Sequence, residues 1–360
     1  MIKNYIYFFI TALAISLAMI PIILYISKKY GLYDRIDERK IHNGNISRLG
    51  GLAIFLGFII AFSVWIVPAV TFPFRVHFFI AAAIVAFLTG FIDDFTNLKA
   101  RYKLLAQVVV GIIVAMSGLL ITKFQIYNLF TINFGPFSYV ITVLWVVTFM
   151  NAINLLDGMD GLASGIVFFA NIFVFIIAVI GGNIVVASIS AIMAGAILGF
   201  FIFNFPPAKI FMGDGGAYFL GFMYATIPLM GIKKSSVATL FLFPLIMLLV
   251  PLTDIIMVIG KRIKSGYAIF IADKNHLHHR LMSLGLSIKG ILLIMYVYTI
   301  ILGLISILLI KIHDAYSFIL MILIFLIMGI SLFLLNQAEK LIESKDDECE
   351  EKLENNDNSI

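Results

Sequence analysis

The sequence specifies an all-α, polytopic integral membrane helix bundle with about eleven transmembrane helices. Three observations carry that expectation. The 360 residues are 62% hydrophobic and only 12% charged, and mean hydropathy is +1.08; soluble chains carry roughly twice that share of charge. Apolar runs close to the roughly 20 residues that span hydrocarbon recur along the whole length. Lys and Arg collect in alternate loops, the asymmetry that orients a membrane protein.

The runs cover residues 5–26, 49–71, 76–92, 104–122, 137–153, 162–181, 184–203, 217–232, 236–259, 290–310 and 315–335. The first is too long for the apolar part of a signal peptide and lacks a small-residue cleavage site, so it is expected to be retained. The run at 217–232 is short and contains Pro228. No stretch shows the alternating polarity of barrel strands. Lys28, Lys29, Arg35, Arg39, Lys40 and Arg48 follow the first run, Lys99, Arg101 and Lys103 the third, and Lys261, Arg262, Lys264, Lys274 and Arg280 the ninth. The opposite set holds only Lys3, Arg75, Lys123, Lys233, Lys234 and Lys311. The richer set is expected to be cytoplasmic, with the N-terminus outside the cell membrane and the C-terminus inside. Residues 1–335 then form one transmembrane domain. Residues 336–360, rich in Asp, Glu, Lys and Asn, are too poor in apolar side chains to fold and are expected to be a disordered cytoplasmic tail. Cys349 is the single cysteine, so no intrachain disulfide exists.

Four polar islands interrupt the apolar runs, all on the side expected to be cytoplasmic: 90–103, 151–162, 203–216 and 272–281. Charge near a bilayer is expensive, so clustered charge marks candidate function. Asp93 and Asp94 end the third run. Adjacent helical residues point about 100° apart, so the two cannot share a face. Neighbouring carboxylates need a cation or a raised pKa, which suits metal or phosphate chemistry; an interfacial helix cap is the plainer reading. Asn151, Asn154, Asp157 and Asp160 recur at every third residue. They form either a drifting polar stripe on a helix or a polar turn rich in Asn, Asp and Gly. Asp214, among Gly213, Gly215 and Gly216, could hold Mg²⁺, or leave the glycine backbone to an anion, or simply cap a helix. Asn204, Lys209 and Phe211 precede it with an amide, a cation and an aromatic ring. His276, His278 and His279 lie between Lys274 and Arg280. An anion site is preferred there to a zinc site, because no cysteine is near; attraction to anionic lipid headgroups is the plainer alternative. Asp254, inside the ninth run, is expected to pair with a cation.

These islands, in this order and together with the segment 39–55, resemble the polyprenyl-phosphate N-acetylhexosamine-1-phosphate transferases of glycosyltransferase family 4. Within that family the His-x-His-His stretch is similar to the bacterial N-acetylglucosamine branch. The resemblance implies transfer of N-acetylglucosamine 1-phosphate from UDP-N-acetylglucosamine to undecaprenyl or another polyprenyl phosphate, with release of UMP, as the first membrane step of envelope polysaccharide or teichoic acid synthesis. It implies Mg²⁺ as cofactor, with Mn²⁺ as substitute, and the lipid bilayer but no nucleic acid as surroundings. Dimers are common in the family. By resemblance, Asp214, Asp93 and Asp94 would be the metal ligands, and these three with His279 the catalytic residues. Lys103, Asn151, Asn154, Asp157, Asp160, Asn204, Phe211, His276, His278 and Arg280 would bind substrate. Two other readings stay open: the phospho-N-acetylmuramoyl-pentapeptide transferase of peptidoglycan synthesis, told apart by its donor, and a transporter, which would need charge reachable from both faces.

Overall fold

In hydrocarbon each backbone N–H and C=O must find its partner within the segment, so long apolar runs become helices. A computed structural model describes residues 2–33, 46–126, 130–231, 281–282 and 285–311, with 323, 326 and 329. Nine α-helices have both ends within the described residues: α1 (Ile2–Tyr30), α2 (Gly50–Trp65), α3 (Val76–Thr96), α4 (Ala100–Ser117), α5 (Ser138–Leu156), α6 (Leu162–Ile180), α7 (Ile184–Asn204), α8 (Gly213–Thr226) and α9 (Ile288–Lys311). Seven of the helical segments are long and apolar enough to cross a membrane; α2 and α8 are shorter. The chain is thus a multi-pass helical membrane protein. The predicted runs at 236–259 and 315–335, Asp254, residues 272–280 of the histidine island and the tail lie outside the described residues, apart from the three isolated positions in the last run.

Among the described residues one two-stranded sheet departs from the all-α pattern. Lys123–Ile126 and Phe130–Asn133 pair antiparallel as β1 and β2, Lys123 opposite Asn133. Polar and apolar residues alternate there, and a period of two favours a hairpin over a helix. The hairpin joins α4 to α5 and is far too short to be part of a barrel.

From α1 to α8 the described helices alternate in direction. Consequently the C-terminal ends of α1, α3, α5 and α7 meet the N-terminal ends of α2, α4, α6 and α8 at one end of the bundle. The amides of Gly50 and Gly51 donate to the carbonyls of Phe211 and Met212 at 2.9 and 2.8 Å, and the Phe211 amide donates to Ser47 at 2.8 Å. At the other end the Arg75 amide donates to the Ser117 carbonyl at 2.8 Å. The first three polar islands therefore share one end.

α8 occupies the centre, packed on α2, α3 and α5. Every residue from Gly215 to Thr226 is buried. The crossing with α3 depends on Gly90, where a Cβ would overlap the carbonyl of Asp214. Buried polar tips are matched: the Trp145 indole N–H donates to Ala225 at 2.9 Å, and the Tyr224 hydroxyl to Val167 at 2.7 Å. Leu105, Leu144 and Leu293 point outward, as a lipid-facing surface requires.

Candidate functional site

Asp93 lies on the last turn of α3, and the chain leaves the helix through Asn97 in the left-handed region (φ 50°). The turn is held by Asp93 itself: its carbonyl accepts from the Asn97 amide at 2.9 Å, and its Oδ1 from the Leu98 amide at 2.7 Å. This short turn brings the first coil of α4 back beside α3. Lys103 on that coil forms an ion pair with Asp93 Oδ2. The same ammonium lies 3.3 Å from Asp214 Oδ2. The other oxygen of Asp214 accepts from Asn154 Nδ2 at 3.1 Å. Three islands, distant in sequence, thus meet at one point.

Asp94 turns elsewhere, as the 100° offset requires. Its Oδ1 accepts from the Asp214 amide at 2.8 Å and its Oδ2 from the Gly215 amide at 3.2 Å. Those are amides of the first turn of α8, which have no partner inside their own helix and carry the positive end of its dipole. Asp94 therefore anchors α8 from outside and sets the position of Asp214. Gly213 opens the turn with φ 72°, and a Cβ there would overlap the carbonyl of Arg48.

The repeat at 151–160 divides where α5 ends. Asn151 and Asn154 lie on the helix, and Asp157 is its C-cap. Asp160 falls in the following turn and accepts from the Ala208 amide at 3.1 Å. The stripe and the turn read from the sequence are thus both present, in succession. Asn151 exchanges hydrogen bonds with Gln107, at 2.6 and 3.3 Å. Burial pushes the Asp157 carboxyl well above the usual carboxylate range; the negative charge of Asp214 adds to this and Arg48 opposes it. Asn204 is buried. Its Oδ1 accepts from the Gly161 amide at 3.1 Å and from Ser164 Oγ at 2.6 Å, while its Nδ2 donates to the Ile210 carbonyl at 3.0 Å. Phe211 is half-buried, its backbone tied to Ser47 and Gly50. His276, His278, His279 and Arg280 lie outside the described residues.

Two further residues belong to this site. Arg48 reads in the sequence only as loop charge, yet it acts electrostatically on Asp94, Asp157 and Asp214. Its legible signal is its place directly before the glycine-rich start of the second run. Gln107 is a lone amide within the run 104–122, and a solitary polar group at such a depth is a signal in itself.

Among the described residues no group of three or more His, Cys, Asp and Glu side chains is arranged to hold a metal ion. Asp93 and Asp214 nevertheless aim one oxygen each at a single cation, the Lys103 ammonium. Mg²⁺ sites commonly use one or two carboxylates and leave the remaining positions to water and phosphate oxygens. The pair fits that pattern.

The fold and the site define a multi-pass membrane protein whose paired carboxylates, amides and cations gather at one end of a helix bundle. Comparison with known proteins makes this specific. Residues 76–232 match the family described as Glycosyl transferase family 4. The chain is 36% identical over 289 residues to a probable undecaprenyl-phosphate N-acetylglucosaminyl 1-phosphate transferase of Bacillus subtilis, covering 80% of each chain. It is 32% identical over 288 residues to a decaprenyl-phosphate N-acetylglucosaminephosphotransferase of Mycobacterium tuberculosis, covering 72% of this chain and 71% of the relative. It is 27% identical over 270 residues to the undecaprenyl-phosphate alpha-N-acetylglucosaminyl 1-phosphate transferase of Escherichia coli, covering 73% and 72%. The chain belongs to glycosyl transferase family 4.

Proposed function

We propose that this protein transfers N-acetylglucosamine 1-phosphate from UDP-N-acetylglucosamine to undecaprenyl phosphate, at the cytoplasmic face of the cell membrane. The observation that carries the reading is the meeting of Asp93, Lys103, Asn154 and Asp214 from three separated islands, in a chain whose relatives are named for this transfer. Lys and Arg in the loops at the site end support the cytoplasmic assignment.

In the reaction, an oxygen of the lipid phosphate attacks the β-phosphorus of the nucleotide sugar. A new P–O bond forms, the bond from the β-phosphorus to the bridging oxygen breaks, and its electron pair leaves with UMP. The sugar C–O bond is untouched. Positioning and charge neutralisation supply most of the catalysis in such transfers. Asp93 and Asp214 would hold Mg²⁺. The chemistry supplied by the bound ion is neutralisation of the diphosphate and polarisation of the phosphorus. Asn154 fixes the rotamer of Asp214, and Asp94 fixes the helix that carries it. Lys103 and Arg48 stabilise negative charge as it moves to the leaving group. Asp157, near enough to feel the charge of Asp214, and Asp160 would line the nucleotide-sugar pocket.

UMP release from purified protein tests the reading. Undecaprenyl phosphate, Mg²⁺ and either UDP-N-acetylglucosamine or UDP-N-acetylmuramoyl-pentapeptide are supplied. Release from the first donor alone, abolished by EDTA and by Asp214→Ala, is expected. Release from the second donor alone moves the protein to peptidoglycan synthesis.

A further inference from the structure

Lys103 stands where two carboxylates from distant parts of the chain converge. Asp93 is almost wholly buried, its side chain 2% exposed, and one oxygen is fixed by the Leu98 amide at 2.7 Å. Its other oxygen, Oδ2, is turned to the Lys103 ammonium in an ion pair. Asp214 is arranged in the same way, with Oδ1 fixed by Asn154 at 3.1 Å and Oδ2 turned to the same ammonium at 3.3 Å. Each carboxylate thus has one oxygen held by a neutral N–H and one offered to a shared cation. A buried carboxylate left without a positive partner is strongly destabilising, so the pair calls for a cation, or a proton, at that point.

An ammonium and a divalent ion have the same claim on that point. Both seek carboxylate oxygen, and like charges confined between the same two oxygens repel. Lys103 is able to leave. Its side chain is 29% exposed, it sits on the first coil of α4, and its stem has four flexible carbons. Once displaced, its three N–H donors are released beside the ion, where a phosphate oxygen would arrive.

We propose that Lys103 is a resident counter-ion of the Asp93–Asp214 pair, that a divalent cation displaces it, and that this displacement delivers its ammonium to the phosphate of the incoming substrate. The inference rests on the metal reading given under Proposed function and adds an order to it. The cation binds first and the phosphate-bearing substrate second, because until then the lysine is engaged.

The test uses full-length protein in lipid nanodiscs without substrate. Mg²⁺ is titrated against wild type, Lys103→Gln and Asp214→Asn while thermal unfolding is followed. In parallel, acylation of Lys103 in wild type by an amine-reactive reagent is read by mass spectrometry. Expected are a rise in the wild-type midpoint with Mg²⁺, no comparable rise in Asp214→Asn, and several-fold faster acylation of Lys103 when Mg²⁺ is bound. Lys103→Gln should start less stable and reach half its Mg²⁺ response at about tenfold lower concentration, because no ammonium has to be expelled. A wild-type Mg²⁺ response combined with unchanged or slower Lys103 acylation overturns the proposal and leaves the metal site standing. So does a Lys103→Gln midpoint at equal or higher Mg²⁺. Absence of any Mg²⁺ response in wild type removes the metal reading and the proposal together.

Discussion

Asn204 and Asp214 stand at the two ends of the segment that joins α7 to α8, and the fold treats them in opposite ways. Asn204 is 3% exposed and uses both ends of its amide on the protein: a glycine amide and a serine hydroxyl on one side, the Ile210 carbonyl on the other. Its partners are all neutral, and it ties the start of α6 to the loop before α8. Asp214 is half-buried, carries charge, and meets another carboxylate across a shared lysine. One residue closes a hydrogen-bond network. The other concentrates charge in a place where solvent cannot fully screen it. The difference separates structure from chemistry better than residue type does, since Asn and Asp are nearly the same shape.

Asp214→Asn gives the sharpest test of that contrast. It removes the charge and preserves the shape, so transfer should fall by about 10³-fold, in the range seen when one key electrostatic contact is lost. The thermal midpoint should fall only slightly, because Lys103 loses one of its two carboxylate partners while the Asn154 hydrogen bond can persist. Retained turnover in a UMP-release assay would place the chemistry elsewhere.

Asn204→Leu should show the reverse pattern. It leaves an amide N–H, a hydroxyl and a carbonyl without a partner in a buried site, where each orphan costs about 1–3 kcal/mol. With partial rearrangement, a net loss of about 3 kcal/mol is expected. Activity per folded molecule should stay within about threefold of wild type once folded protein is counted. A stable but inactive variant would move Asn204 to the side of the chemistry.

Asp157→Asn is the mildest change. Its carboxyl is held above the ordinary range by burial first and by Asp214 second. A carboxyl with a raised folded-state pKa weakens the fold as pH climbs past the unfolded value near 4, and the penalty levels off only above the folded value. Wild type should therefore lose stability over that climb, and Asp157→Asn should lose less. At neutral pH the variant is expected to melt about 2 °C higher. Melting curves between pH 4 and 8 check the sign; a variant less stable than wild type throughout would show that the charged form is favoured in the fold.

The helices were legible because span length and apolarity are local properties. Seven predicted runs lie within a few residues of α1, α3, α4, α5, α6, α7 and α9. α8 begins at Gly213, ahead of the predicted 217, because the positive φ of Gly213 and the Asp94 carboxylate together start the helix before its apolar part. The islands were legible as expensive polarity. What a single island cannot disclose is its partner. Lys103 reaches Asp214 across 111 positions, and Asn154 reaches it across 60. The separate tasks of Asp93 and Asp94 follow from helix geometry, but their targets, a lysine in one case and two backbone amides in the other, exist only once α8 lies against α3.

The burial of α8 has a consequence for laboratory evolution. A helix with no free face has no mutational slack: from Gly215 to Thr226 a larger side chain meets protein on all sides. A library aimed at a new donor sugar should therefore draw its winners from the loops around the bundle end and find α8 nearly silent. Asp214 would then be inherited unchanged, with the whole helix as its handle.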